Sequence, residues 1–197
     1  MNDTLWVFGY GSLIWRPGFE FAEQKPALLR GLHRALCLHS YVHRGTPERP
    51  GIVAGLDHGG ACRGMAFRVE NQHREPVLDY LREREQMNYC YLEKYRSIEL
   101  SSEEGSQKVD ALCFVVDRTH EQYCGDLPLK DKARLVIEGH GKSGAATEYL
   151  ANLIESLKGL GIRDDGLITL QKEVETLQTT GREGHRAKRH PLQNSSI

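Results

Sequence analysis

The chain has 197 residues, 39% hydrophobic and 27% charged, which is enough for one well-filled core and too little for two. A formal net charge of -1 with a pI near 6.8 gives no basic surface for nucleic acid or an anionic membrane, and no apolar run approaches the ~18 residues of a membrane span. The five cysteines (Cys37, Cys62, Cys90, Cys113, Cys124) are widely spaced without a Cys-x-x-Cys pair, and acidic Asp3 and the interrupting Gly9 and Gly11 are unlike a secretory leader; a soluble, cytoplasmic protein with free thiols is expected.

Leu5-Trp6-Val7-Phe8 is an unbroken apolar run and predicts a strand buried on both faces. Gly9 and Gly11 end it in a loop. With so little side chain there, successive N–H groups around Tyr10 and Ser12 can face one concavity and receive a carboxylate or an oxyanion. An ordinary turn between strands explains the same residues, and the dinucleotide fingerprint Gly-x-Gly-x-x-Gly fails at Ile14.

Pro17, Gly18 and Pro26 punctuate a loop, and Ala27 to Val42 reads as a strand. His43 to Gly51 holds two prolines and three glycine or threonine breaks, so it reads as a loop. Two strands are expected at Ile52 to Leu56 and Gly64 to Val69, separated by a turn at Asp57 to Ala61. Arg74 to Gln86 reads as a helix with Pro76 in its first turn and Val77, Leu78 and Leu81 on one side. At its C-terminal end Glu85 meets the unfavourable pole of the helix dipole, which pushes a carboxylate pKa up if water is excluded.

Tyr89 to Leu100 and Val109 to Val116 read as strands joined by a polar hairpin-type connection, Ser101 to Gln107. Leu127 to Glu138 is helical. Thr147 to Lys158 places Leu150, Leu153, Ile154 and Leu157 at i, i+3, i+4 and i+7, and a last helix capped by Asp164 or Asp165 runs to Leu177. From Thr179 the chain is polar and basic, which predicts a catalytic domain over 1–178 and a disordered tail over 179–197. Strands first and helices after give an α+β class.

Two competing chemistries fail on their residues. Val136 to Ser143 imitates a phosphate-binding loop, but valine stands where its first glycine is required and the residues before it look helical. Nine histidines suggest a metal, yet no His-x-x-x-His or His/Cys cluster has ligand spacing, so no metal is expected.

Four motifs in order, Tyr10-Gly11-Ser12-Leu13, His43 to Gly51, Tyr80-Leu81-Arg82-Glu83-Arg84-Glu85 and Ser143 to Leu150, make the chain resemble the ChaC-type γ-glutamylcyclotransferases from Leu5 to about Leu177. The resemblance implies a small mixed sheet closed partly into a barrel with flanking helices. It implies cleavage of glutathione to 5-oxoproline and cysteinylglycine, without a cofactor, although older names of bacterial members refer to cation transport. Other γ-glutamyl amines as substrates, and a non-enzymatic regulator of transport, stand as alternatives.

Carried over residue by residue, the pattern Tyr-Leu-x-x-Arg-Glu implies that Glu85 is the catalytic acid/base and that the loop Gly9, Tyr10, Gly11, Ser12 and Leu13 receives the γ-glutamyl head group. Read as charges alone, Glu75, Glu83, Glu85 and Glu93 are equivalent on a solvated surface. His43 and Arg44 suit a carboxylate, Arg44 bidentately. Tyr149 is a further candidate for the pocket. The family's small residues after the glutamate are replaced by Gln86-Met87-Asn88-Tyr89-Cys90-Tyr91, so the family tyrosine falls on Tyr91 or on Tyr89.

Overall fold

The structure, a computed structural model, describes residues 4–85, 89–102 and 105–187. Its centre is a closed barrel of five strands: β1 (Leu5–Gly9), β2 (Glu23–Ser40), β3 (Gly51–Val69), β4 (Tyr91–Ser102) and β5 (Gly105–Val116), in the order β1-β3-β2-β4-β5. The pairings are antiparallel except β1 with β5, where Trp6 and Val7 run parallel to Ala111 and Leu112, and a bridge from Leu56 to Val115. The sheet is therefore mixed.

Alternation explains why β1 is apolar at every position. Trp6, Phe8 and Tyr10 pack with Ile98, Ala111, Cys113 and Val115 inside the barrel, while Leu5 and Val7 pack outward with Leu112 and Phe114 against Val77, Leu78 and Leu81 of α1 (Arg74–Glu85). Three more helices, α2 (Leu129–Glu138), α3 (Ala146–Gly159) and α4 (Asp165–Ala187), cover Leu36, Ile52 and Ala54 on β2 and β3. The stripe Leu150, Leu153 and Leu157 lies in that second core. Asp164 caps α4, its carboxylate accepting the Leu167 N–H at 3.2 Å.

Three expectations change. The turn at 57–61 is absent, because β3 is one strand of 19 residues. Gly59 and Gly60 have φ of 97° and 68°, Gly31 on the facing strand has 83°, and the pairing slips between Arg30 and Leu32, so both strands bend together through a bulge instead of ending. The hairpin-type connection expected at 101–107 joins an antiparallel pair but is shorter, because the ladder runs on to Ser101 with Ser106 and Ser102 with Gly105. The last helix passes Leu177 and continues to Ala187, into the segment expected to be a disordered tail; residues 188–197 lie outside the described residues. Apolar periodicity stops before that helix does, but the hydroxyls of Thr176, Thr179 and Thr180 each donate to the carbonyl four residues back, which a helix tolerates. Among the described residues no helix is long and apolar enough to cross a membrane, and no group of three or more His, Cys, Asp and Glu is placed to hold a metal.

Candidate active site

A cavity of about 360 Å³ opens where the end of β1, the end of β2, the C-terminus of α1 and the start of β4 meet. Small-ligand sites have this size. Tyr10, Gly11, Ser12, Leu13, His43, Arg44, Glu85, Tyr91 and Tyr149 all line it. Gly9 does not. It closes β1, and a Cβ there would meet Phe67 at 3.0 Å and Leu13 at 3.1 Å, so its small size serves packing.

The loop after β1 folds into a single 3-10 turn, Ser12–Ile14, with the Gly11 carbonyl accepting the Ile14 N–H at 3.0 Å and that of Ser12 accepting Arg16 N–H at 2.9 Å. The leading N–H groups of such a turn have no partner within it. At Gly11 a Cβ would stand 3.4 Å from the Tyr149 hydroxyl and 3.9 Å from Ala54, directed at the residues of the cavity wall.

Arg34, which nothing in its local sequence singles out, holds this loop from behind. Its side chain is 2% exposed; Nε donates to the Tyr10 carbonyl, one terminal nitrogen to the Arg63 carbonyl, and the other to Asp164 at 2.9 Å. One guanidinium thus joins the loop, β3 and the cap of α4. Arg84 holds the loop from the front: it donates to the carbonyls of Arg16 at 2.8 Å and Pro17 at 3.0 Å, to the Ser12 hydroxyl at 2.9 Å and to the Tyr80 hydroxyl at 2.8 Å.

Glu85 ends α1 with its side chain 16% exposed, whereas Glu83, two residues away, is exposed to solvent. Burial pushes the Glu85 carboxyl above its ordinary pKa, and the Arg84 guanidinium, 3.2 Å from Oε1, opposes that shift without cancelling it. Of the five tyrosines that line the cavity, Tyr10, Tyr91 and Tyr149 feel the Glu85 charge. The Tyr10 hydroxyl donates to the Phe114 carbonyl at 3.0 Å, and Tyr91 donates to the Ala54 carbonyl at 2.9 Å. The Tyr149 hydroxyl accepts the Ala54 N–H at 3.2 Å and so keeps its own proton to give. Burial raises all three phenol pKa values, that of Tyr149 to about 12, so each remains a neutral hydroxyl. Tyr89, the other candidate for the family tyrosine, is 77% exposed; Gln86 to Asn88 lie outside the described residues.

The motif at 43–51 meets the one at 143–150. Lys142 and Ser143 N–H groups donate to the carbonyls of Val42 and His43 at 2.8 and 2.9 Å, and His43 Nδ1 shares a hydrogen bond of 2.9 Å with the Ser143 hydroxyl. Arg44 donates to the Ala145 carbonyl at 3.0 Å and lies over the Tyr149 ring at 5.5 Å. The imitation of a phosphate loop falls on this strap: Val136 to Glu138 are the last turn of helix α2 and the rest follows that helix, not a strand. With Arg16, Arg44 and Arg84 on its wall, the cavity is set for an anionic ligand.

A mixed barrel with a ligand-sized cavity at its strand ends, lined by a Gly-x-Gly turn and by a carboxylate that burial holds above its ordinary pKa, has the parts of a small-molecule enzyme. The chain belongs to the ChaC-like protein family, whose model matches residues 5–177. It is 36% identical over 176 residues to the glutathione-specific gamma-glutamylcyclotransferase of Escherichia coli, covering 89% of this chain and 75% of that one. It is 31% identical over 182 residues to glutathione-specific gamma-glutamylcyclotransferase 1 of Homo sapiens, with 89% and 80% covered. Its fold matches the crystal structure of a yeast γ-glutamyl cyclotransferase specific to glutathione with a TM-score of 0.81 at 24% identity, over 89% of this chain and 97% of that one.

Proposed function

We infer that this chain is a glutathione-specific γ-glutamylcyclotransferase, releasing 5-oxoproline and cysteinylglycine. The observation that carries the mechanism is Glu85, a carboxylate held above its ordinary pKa inside the cavity. In a γ-glutamyl compound the attacking α-amine and the γ-carbonyl belong to one molecule, so proximity is largely supplied by the substrate. Water at neutral pH does not supply a neutral amine, a curled chain, or a proton for the departing nitrogen.

Glu85 takes one proton from the substrate ammonium. The freed amine attacks the γ-carbonyl and closes a five-membered lactam ring, and the oxyanion that develops is received by the N–H groups of the Gly11 to Leu13 turn. Glu85 returns its proton to the cysteinyl nitrogen as the C–N bond breaks, and the second proton that the ring nitrogen sheds on becoming an amide passes through Glu85 to the released amine, which leaves as an ammonium. No water is consumed. Arg44 and Arg16 offer charge to the substrate carboxylates, and the Tyr149 hydroxyl offers a donor. Five free, buried cysteines support a reducing compartment such as the cytoplasm.

The test is incubation of the purified protein with glutathione, γ-glutamylcysteine and γ-glutamylalanine in the presence of EDTA, with chromatography for 5-oxoproline. Glutathione is expected to be turned over with the chelator present. Turnover lost to EDTA and restored by a divalent cation would contradict a mechanism run by Glu85 alone.

Arg84→Met separates the two effects of Arg84. Loss of its bonds to the Ser12 loop is expected to lower kcat/KM by ~10-fold through misplacement. Loss of its charge removes the influence that lowers the Glu85 pKa, so the acidic limb of the kcat/KM profile moves to higher pH. An unmoved limb would separate Glu85 from the titration.

A further inference from the structure

A trans peptide is planar with its C=O and N–H antiparallel, and no peptide bond among the described residues is cis. The carbonyl and the N–H of the Tyr10–Gly11 peptide therefore point in opposite directions. The Tyr10 carbonyl accepts the Arg34 Nε–H, and neither Arg34 nor the other two residues its guanidinium holds, Arg63 and Asp164, line the cavity. The Gly11 N–H is thus directed away from Arg34. Tyr10, Gly11 and Ser12 all stand on the cavity wall, and among the described residues nothing accepts a hydrogen bond from that N–H. It is a backbone donor left over.

Glycine gives this arrangement no rigidity of its own. Turning the peptide over changes chiefly ψ at Tyr10 and φ at Gly11, and a residue without a Cβ accepts the new φ readily. In the turned-over loop a carbonyl oxygen would stand where the N–H was, and an acceptor would meet the developing oxyanion. Arg34 opposes that rotation. Its side chain is 2% exposed, its bond to the carbonyl is charge-assisted, and it is held by Asp164 at 2.9 Å, whose other oxygen caps α4 by accepting the Leu167 N–H at 3.2 Å. A guanidinium engaged through all three of its nitrogens cannot follow the carbonyl round.

We propose that Arg34 is a positioning residue for catalysis: by fixing the Tyr10 carbonyl it keeps the Gly11 N–H turned to the cavity as an oxyanion donor, and Asp164 keeps Arg34 in place. This rests on the cyclotransferase reading above. Arg34 does not line the cavity, so it acts only through the peptide. The same bond polarises that peptide and makes its N–H the better donor. Because the oxyanion develops only as the ring closes, the arrangement acts on kcat and leaves KM alone.

The experiment measures kcat and KM for glutathione, with thermal melts, in the wild type, Arg34→Met and the double variant Arg34→Met/Asp164→Asn. Methionine keeps an unbranched stem and donates nothing. In the double variant asparagine still caps α4, and no carboxylate is left without its partner. In both variants kcat is expected to fall by ~10²-fold with KM within ~3-fold of the wild type, the size of losing one oxyanion donor. A folded variant whose kcat stays within ~2-fold of the wild type overturns the proposal, and so does a loss carried by KM, which is what mere loosening of the head-group loop would give. If Arg34→Met is recovered unfolded, the double variant decides. Failure of the wild type to release 5-oxoproline from glutathione would overturn the cyclotransferase reading itself, and the role of Arg34 with it.

Discussion

Glu85→Gln is expected to lower kcat by ~10²-fold to ~10⁴-fold with KM little changed, while Glu83→Gln stays near wild type. Glutamine keeps the shape and hydrogen-bonding reach of glutamate but cannot exchange a proton. At the lower bound the loss is ~2.7 kcal/mol of barrier. The contrast follows from burial: Glu85 lines the cavity with 16% of its side chain exposed, and Glu83 faces solvent on the same helix. Stability should move the other way. A carboxyl whose pKa is raised in the fold stabilises it below its unfolded pKa, and that contribution is lost as pH rises through the folded value. Glu85→Gln is therefore expected to melt above the wild type at neutral pH, with the difference closing as pH falls into the ordinary carboxylate range. A melting difference independent of pH would mean that Glu85 is not perturbed, and wild-type turnover by Glu85→Gln would end its assignment as acid/base.

Gly11→Val is expected to lower kcat/KM by ~10²-fold while the protein still melts cooperatively near the wild-type temperature. A Cβ at Gly11 makes only ordinary contacts, 3.4 Å to the Tyr149 hydroxyl and 3.9 Å to Ala54, so the fold tolerates it. The two methyls beyond that Cβ would occupy cavity space beside the N–H groups proposed to meet the substrate, and misplacement of even an ångström has effects of this size. Gly9→Val is the opposite case. Its Cβ would press on Phe67 at 3.0 Å and Leu13 at 3.1 Å in the packed core, and overpacking of that kind typically costs ~1–3 kcal/mol. Thermal melts and steady-state kinetics on both variants separate the two glycines; normal turnover by a folded Gly11→Val would remove the turn from the site.

These two glycines also mark how far the sequence could be read. The run Leu5 to Phe8 announced a strand buried on both faces because each face meets a different apolar partner, the barrel interior and α1. Whether Gly9 or Gly11 touched the cavity was not legible, since that depends on Phe67 and Tyr149, far along the chain. Glu85 emerged from the family pattern; charge spacing alone left it equal to Glu83, and only burial distinguishes them. Arg34 was invisible for the same reason, because its partners Tyr10, Arg63 and Asp164 are brought together by barrel closure. The missed continuity of β3 has a local cause: glycines at 59 and 60 signal a turn, and a bulge uses the same positive φ.

We propose that the substrate's own amine, and not water, cleaves the γ-glutamyl bond with Glu85 carrying the proton. This is tested most directly by running the reaction with glutathione in water labelled with heavy oxygen and analysing the products by mass spectrometry. Cyclisation predicts 5-oxoproline and cysteinylglycine in equal amounts, both without label, and no glutamate. Glutamate carrying heavy oxygen in its side-chain carboxylate would show that water is the nucleophile and would overturn cyclisation as the reaction.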